Sequence, residues 1–311
     1  MSKKILGQED NLKLLDLAAD NNLSALLIGD TGSGKTSMIQ AKAEEKKMKS
    51  IRFNLTGETT VDEFVGKYVL IGGETVWQDG ILLKAMKEGL WLIVDEINVA
   101  LPEILFVLHS LLDDDKQVIV AQHETEIVKP HKNFRFFATM NPTDEYSGTK
   151  ELNKAFKSRF QLILQVDYPD NMTEIAIIKL HVPDVQEKWL SPIISVANHL
   201  RAAKKCEEIF YTCSTRDLIQ WAKLATLTGD IEIGFRNTIH NKGNGDGEKI
   251  KTIFESVIAK YKSLKAAGIE VSPEYYESKW QELEAAKKNF EQEKKTLKEK
   301  VAKELVASVL K

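Results

Sequence analysis

Short apolar runs, each bounded by glycine, proline or charge, recur through the first half of the chain. They occupy residues 25–28, 51–55, 89–94, 134–140 and 160–166. The uniformly apolar runs at 25–28 and 89–94 read as buried strands of a parallel sheet, and 51–55, 134–140 and 160–166, which carry polar residues among the apolar ones, read as further strands. Between them lie stretches of helical composition at 36–47, 80–88 and 102–112, rich in Ala, Leu, Met, Lys and Glu. Strand and helix in alternation predict an α/β sheet with helices on both faces. Two places break the rhythm. Residues 68–77 carry β-rich arms around Gly72-Gly73, a two-residue hairpin signal. Residues 117–120 and 126–128 form a second pair of arms just ahead of the 134–140 strand.

After Pro169 the period changes. Ile175, Ile177, Ile178 and Leu180, then residues 193–200, then Leu218, Trp221, Leu224 and Ala225, recur at helical spacing and are most simply core. Residues 241–247 form a Gly/Asn stretch that looks like a loop or a domain end. It lacks the full EF-hand pattern, so calcium is rejected there. Residues 249–261 read as a helix, and 273–311 as a long charged one. Leu283, Phe290 and Leu297 sit seven apart, and Val301, Leu305 and Val309 follow at four. That stripe suits either a helix packed on its own domain or a docking helix.

Composition narrows the field only a little. The 311 residues, 43% hydrophobic and 29% charged, describe an ordinary globular protein of one or two domains. A net charge of −3 gives no global pull towards nucleic acid. No apolar run approaches the roughly 18 residues that span a bilayer, and MSKKILGQED has no apolar segment of the signal-peptide kind. Cys206 and Cys213 match no zinc spacing. Reduced thiols and a cytoplasmic location, with no membrane, are the expectation.

The chemistry is concentrated in GDTGSGKTS, residues Gly29, Asp30, Thr31, Gly32, Ser33, Gly34, Lys35, Thr36 and Ser37. It fits G-x-x-x-x-G-K-[ST], placed between a strand and a helix. Glycines let backbone N–H groups turn inward into a nest for phosphate oxygens, and the following helix adds its positive end. Lys35 would reach the β- and γ-phosphates, and Thr36 would offer its hydroxyl to Mg²⁺. The 89–94 run ends in Asp95-Glu96, at the same carboxyl edge of the sheet. Asp95 would hold Mg²⁺ and Glu96 would polarise the attacking water. Asn141, followed by Pro142 at a strand end, is placed to contact a γ-phosphate or that water.

The order GDTGSGKT, WLIVDE, FFATMNP, KSRF resembles an AAA+ ATPase from about residue 5 to 169, with a weaker match to about 227. Within that superfamily it looks like the branch of MoxR-type ATPases. This branch includes the nitric-oxide-reductase and Rubisco-activating accessory ATPases, gas-vesicle ATPases, the cobaltochelatase ATPase subunit, and midasin and dynein-related modules. The resemblance implies a P-loop NTPase with a parallel five-stranded sheet in the order 5-1-4-3-2. It also implies two β-hairpin inserts facing a central pore, a small helical lid and a helical tail. The corresponding domains are 1–169, 170–240, a linker at 241–248 and an extension at 249–311. Lys35 and Thr36 match Walker A, Asp95 and Glu96 Walker B, and Asn141 sensor 1. Arg159 in KSRF matches the arginine finger, which serves the neighbouring subunit's nucleotide and can be worth about 10³-fold. Arg216 matches sensor 2. Gln8 matches the GQE element near the adenine, and Asn54 is a candidate for the strand-end residue that restrains Glu96.

The leading expectation is therefore an ATP- and Mg²⁺-dependent remodelling ATPase in a homo-oligomeric ring, a hexamer. It would act on a client protein, with a von Willebrand factor A domain supplied by another chain. The alternatives are a nucleic-acid-translocating motor like the restriction motors and helicases of neighbouring branches, and a non-hydrolysing scaffold. The first hairpin has Glu74 and no Lys or Arg between Val69 and Trp77. The second sets Lys116, His123, Lys129 and His131 against Glu124 and Glu126. That balance weighs weakly against a nucleic-acid channel. Glu96 and Arg159 speak against a scaffold.

Overall fold

The computed structural model describes residues 4–142, 151–268 and scattered positions between 272 and 289. These fall into two units. The first takes the chain up to Pro169 together with Ser214–Arg216, and the second takes Asp170–Cys213 and the chain from Asp217.

The first unit is built on five parallel strands: β1 (Ala25–Ile28), β2 (Ser50–Asn54), β5 (Trp91–Asp95), β8 (Arg135–Met140) and β9 (Leu162–Gln165). They lie in the order β2-β5-β8-β1-β9. Counting only these five along the chain, the order is 5-1-4-3-2 from the β9 edge. Alternate side chains leave the sheet on opposite faces. Leu92, Val94, Phe136 and Ala138 join the core on one side; Trp91, Ile93, Phe137 and Leu164 join the core on the other. Both faces of the central strands β1, β5 and β8 are covered, which is why these three read as near-continuous apolar runs, whereas the edge strands β2 and β9 alternate in burial. Helices α1 (Glu9–Asp20), α2 (Lys35–Glu45), α4 (Ile81–Glu88) and α5 (Pro102–Leu112) belong to this unit.

The hairpins occupy the expected places. Strands β3 (Gly66–Ile71) and β4 (Glu74–Asp79) pair antiparallel around Gly72 and Gly73. Both glycines have positive φ, 62° and 89°, as a two-residue primed turn requires. This hairpin is looped out between α3 (Val61–Phe64) and α4, whose ends are stitched together by Gly80 N–H donating to the Val65 carbonyl at 2.6 Å. The second hairpin pairs β6 (Val118–Val120) with β7 (Glu126–Val128). Aromatic contacts join the two: His123 stacks on Trp77 at 4.8 Å between centroids, and Tyr68 meets both rings edge-on.

The second unit is helical: α7 (Asn171–His181), α8 (Glu187–Lys205), α9 (Thr215–Thr228) from Asp217 onward, α10 (Ile231–Thr238) and α11 (Gly247–Ala266). Its core centres on Trp221, with Phe235 and Phe254 stacked at 4.0 Å beside it. The Gly/Asn stretch forms two 3-10 turns, His240–Lys242 and Asn244–Asp246. Within it, buried Asp246 accepts the backbone N–H groups of Phe210 and Tyr211. Helix α11 sends Ile250, Phe254 and Val257 into the same core as α8. The charged segment 273–311, expected as a long helix, lies outside the described residues apart from the scattered positions. Among the described residues, no helix is long and apolar enough to cross a membrane.

Candidate functional site

Strand β1 ends at Ile28, and the chain then turns tightly into α2. Gly29 leaves the sheet between β8 and β9: a Cβ there would sit 2.1 Å from the Val166 carbonyl oxygen, so only glycine passes. Gly32 and Gly34 have φ of 74° and 96°, the left-handed conformations that turn successive N–H groups to one side. Asp30 and Thr31 offer their carbonyls to this unit's own groups. The Asp30 carbonyl accepts from the Lys35 ammonium, and the Thr31 carbonyl from the Tyr168 hydroxyl at 2.9 Å. Thr36 and Ser37 lie in the first turn of α2, whose unpaired N–H groups and dipole favour an anion. The Ser33 hydroxyl is buried inside the loop with no hydrogen-bond partner. An orphaned donor inside a ring of inward-turned amides fits a phosphate group.

Lys35 is 7% exposed. Its ammonium donates to the Gly29 carbonyl (2.6 Å), the Asp30 carbonyl (2.8 Å) and Asn141 Oδ1 (3.0 Å). Burial pushes it down to about 8, against the opposing pull of Asp30, Asp95 and Glu96, while Arg216 adds to the lowering. Asn141 stands at the end of β8, so the strand-end amide meets the loop lysine because β8 pairs with β1.

Asp95 closes β5 and is 3% exposed. Its Oδ1 accepts from Thr36 Oγ1 at 2.8 Å and from Thr139 Oγ1 at 2.7 Å. Its Oδ2 accepts from Arg52 Nε on β2. Thr36 and Asp95 thus present adjacent hard oxygens, the donor chemistry of Mg²⁺. Among the described residues, no group of three or more His, Cys, Asp or Glu could form a separate metal cage. A metal bound with few protein ligands and a nucleotide suits this donor set.

Glu96 is exposed and left-handed, φ 57° and ψ 45°. A β-strand ending in a non-glycine residue of this conformation is strained, and such strain collects at functional positions. Behind it, buried Asn98 donates to the Asn141 carbonyl at 3.3 Å, while its own Oδ1 has no partner. Asn54 ends β2 in register with Asp95. Gln8 caps α1 and spends both ends of its amide on the chain, donating to the Asp167 carbonyl and accepting from Asn11. Arg216 belongs with the first unit: a Cβ on Gly32 would meet Ser214 Oγ at 2.6 Å and Arg216 Cβ at 3.5 Å.

Arg159 is bonded elsewhere. Its Nε donates to Asp113 at the end of α5 (2.8 Å), and its Nη1 to the Ala155 carbonyl (2.7 Å). Burial of the imidazole, and then the Arg159 charge, push the His109 pKa below its ordinary value, with Asp113 opposing. Of the residues singled out in the sequence, hydrogen bonds tie Gly29, Asp30, Lys35 and Asn141 into one cluster and Thr36 and Asp95 into another beside it. Arg159 joins neither. Sequence reasoning missed Arg52, Thr139 and Asn98. Thr139 left a trace, a lone hydroxyl in the apolar run 136–140. Arg52 left none, because its contact depends on β2 lying beside β5.

A family model described as an AAA domain of the dynein-related subfamily matches residues 24–160. A second, described as CbbQ/NirQ/NorQ C-terminal, matches residues 174–259. Midasin of Dictyostelium discoideum is 32% identical over 248 residues, which is 77% of this chain and 4% of midasin. The aerobic cobaltochelatase subunit CobS of Sinorhizobium sp is 28% identical over 236 residues, 71% of each chain. An uncharacterized protein of Staphylococcus aureus is 32% identical over 244 residues, 76% of this chain and 90% of its own length. The chain therefore spans only a small part of the midasins it matches.

Proposed function

The chain belongs to the dynein-related AAA family, with a CbbQ/NirQ/NorQ-type C-terminal region, and on that premise we propose an ATP-hydrolysing remodelling machine that works as a ring on a partner protein. The observation that carries the reading is the convergence of Lys35, Thr36, Asp95 and Asn141 at the carboxyl ends of β1, β5 and β8. This is the crevice where parallel sheets bind ligands. ATP would be the phosphoryl donor to water, and Mg²⁺ held by Thr36 and Asp95 would neutralise charge developing on its phosphate oxygens.

Residues 29–37 would wrap the phosphates, with Lys35 giving up its carbonyl partners for them. Thr36 and Asp95 would hold the metal. Glu96 would polarise a water and Asn141 would orient it. Gln8 would lie near the base, and Arg216 would answer to the phosphates. Arg159, occupied away from its own subunit's phosphate loop, would serve a neighbour's site, which makes turnover depend on assembly. The hairpins favour a protein client over a nucleic acid: Leu70 and Ile71 are 75% and 62% exposed, and Ile119 and Ile127 are exposed on the second hairpin. Apolar tips of this kind suit protein surfaces, whereas phosphate contacts need Lys and Arg. A von Willebrand factor A domain on a separate chain is the partner we would look for, together with a hexameric ring in the cytoplasm.

The test is the Glu96→Gln protein. It should bind ATP as the parent does and lose turnover by about 10²-fold or more, and it should retain its client for capture. Turnover near the parent's would remove the role given to Glu96. A captured protein that survives nuclease supports remodelling; recovery of DNA or RNA, released by nuclease and salt, would replace this reading with a nucleic-acid motor.

A further inference from the structure

Asp95 carries more than a metal ligand needs. Its carboxylate is 3% exposed and already accepts three hydrogen bonds, two neutral and one charged. The neutral donors, Thr36 and Thr139, hold Oδ1 from α2 and β8. The charged donor, Arg52, holds Oδ2 from the neighbouring strand. Arg52 sits on β2, where Ser50, Arg52 and Asn54 form the exposed side of the burial pattern. Its side chain is 55% exposed, so the guanidinium reaches from solvent onto a carboxylate that is itself shut away.

A buried carboxylate needs a counter-charge. When Mg²⁺ is present the metal can supply it; when it is absent something else must. The two threonines fix the orientation of Asp95 but bring no charge. Arg52 holds Oδ2 and also brings charge. It also stands as a like charge towards any cation that Asp95 and Thr36 hold, and like charges a few ångströms apart weaken one another's binding.

We propose that Arg52 is a resident counter-cation for the metal-holding carboxylate: it neutralises Asp95 in the empty site and lowers the affinity of that site for Mg²⁺. The inference rests on the nucleotide-site reading above and adds a residue to it. Release of the metal after turnover then leaves Asp95 paired rather than stranded. The device sets how firmly metal is retained.

Binding measurements test this without recourse to turnover. Mg²⁺ is titrated against a fluorescent ATP analogue bound to the full chain, and Mn²⁺ binding is followed in parallel by electron paramagnetic resonance. Arg52→Met removes the charge and keeps the length; Arg52→Gln is a second neutral variant should the first fold poorly; Arg52→Lys keeps the charge. The neutral variants should bind metal about tenfold more tightly, and their metal-free form should melt at a lower temperature than the parent's. Arg52→Lys should stay within about twofold of the parent. Unchanged or weaker metal binding in a folded neutral variant overturns the proposal. Asp95→Asn separates the two levels of argument. If nucleotide binding is metal-independent in the parent, or equally metal-dependent in Asp95→Asn, the assignment of Asp95 itself falls and the proposal falls with it.

Discussion

Helices α7 and α8 place an ion pair inside the second unit that should be costly to break from one side. Glu174 is fully buried, and Arg201 donates from Nη1 and Nη2 to its two carboxylate oxygens, each at 2.8 Å. Arg201 Nε donates to the Cys213 carbonyl at 2.8 Å, so one guanidinium ties two helices to the segment entering α9. Glu174→Ala strips both forked bonds from a guanidinium that stays in the interior. Removing one partner of a buried pair costs about 3–5 kcal/mol, a sizeable share of the roughly 5–15 kcal/mol that holds a domain folded. Glu174→Gln keeps the shape and one acceptor and should cost about 1–3 kcal/mol. Glu174→Leu combined with Arg201→Met removes the desolvation penalty along with the pair, and should recover most of the loss. Urea unfolding followed by tryptophan emission, with Trp77→Phe and Trp91→Phe in the background to silence the first unit, reads this unit through Trp189 and Trp221 in its core. A loss under about 1 kcal/mol for Glu174→Ala, or a double variant whose loss equals the sum of the singles, would refute the reasoning.

Gly29→Ala drives a methyl into the Val166 carbonyl at 2.1 Å; backbone must move, and melting should show a loss of about 1–3 kcal/mol, with an unchanged melt counting against the close approach. Lys35 gives a pH signature. Its proton leaves the folded protein near 8 and the unfolded chain near 10.5. The burial penalty is therefore complete below pH 8 and is relieved as pH rises towards 10.5, where stability has gained up to about 3 kcal/mol. The unfolding free energy of the parent should accordingly gain on that of Lys35→Met between about pH 7.5 and 10, and a gap constant across that range would contradict the depressed value. Asp113→Ala frees Arg159 Nε from a partly exposed pair, so stability should change by less than about 1 kcal/mol. Turnover should fall, and Asp113→Ala should add nothing further in an Arg159→Ala background; additive effects would show that Asp113 does not work through Arg159.

Much of this was readable along the chain. A strand buried on both faces announces itself by near-uniform apolarity, as β1, β5 and β8 do; the edge strands β2 and β9 alternate instead, and all five lie within one or two residues of their expected ends. The phosphate loop was readable because its glycines answer to backbone conformation, a local property: Gly32 and Gly34 are left-handed wherever the loop ends up. The Gly72-Gly73 turn was readable for the same reason. What can be read along the chain is thus local: period, turn chemistry, and which strand ends carry Asp95, Glu96 and Asn141.

Contacts between residues distant in the chain came from packing. Lys35 meets Asn141 because β8 settles against β1, and Arg52 meets Asp95 because β2 settles against β5. Arg159 turns to Asp113, a partner forty-six residues away, and α11 leaves the Gly/Asn stretch to complete a core built mainly by α8 and α9. Each of these depends on which strand or helix becomes a neighbour and in what register. Hydrophobic burial pulls the elements together without direction, and only the completed packing selects the pairs of polar groups that end up face to face.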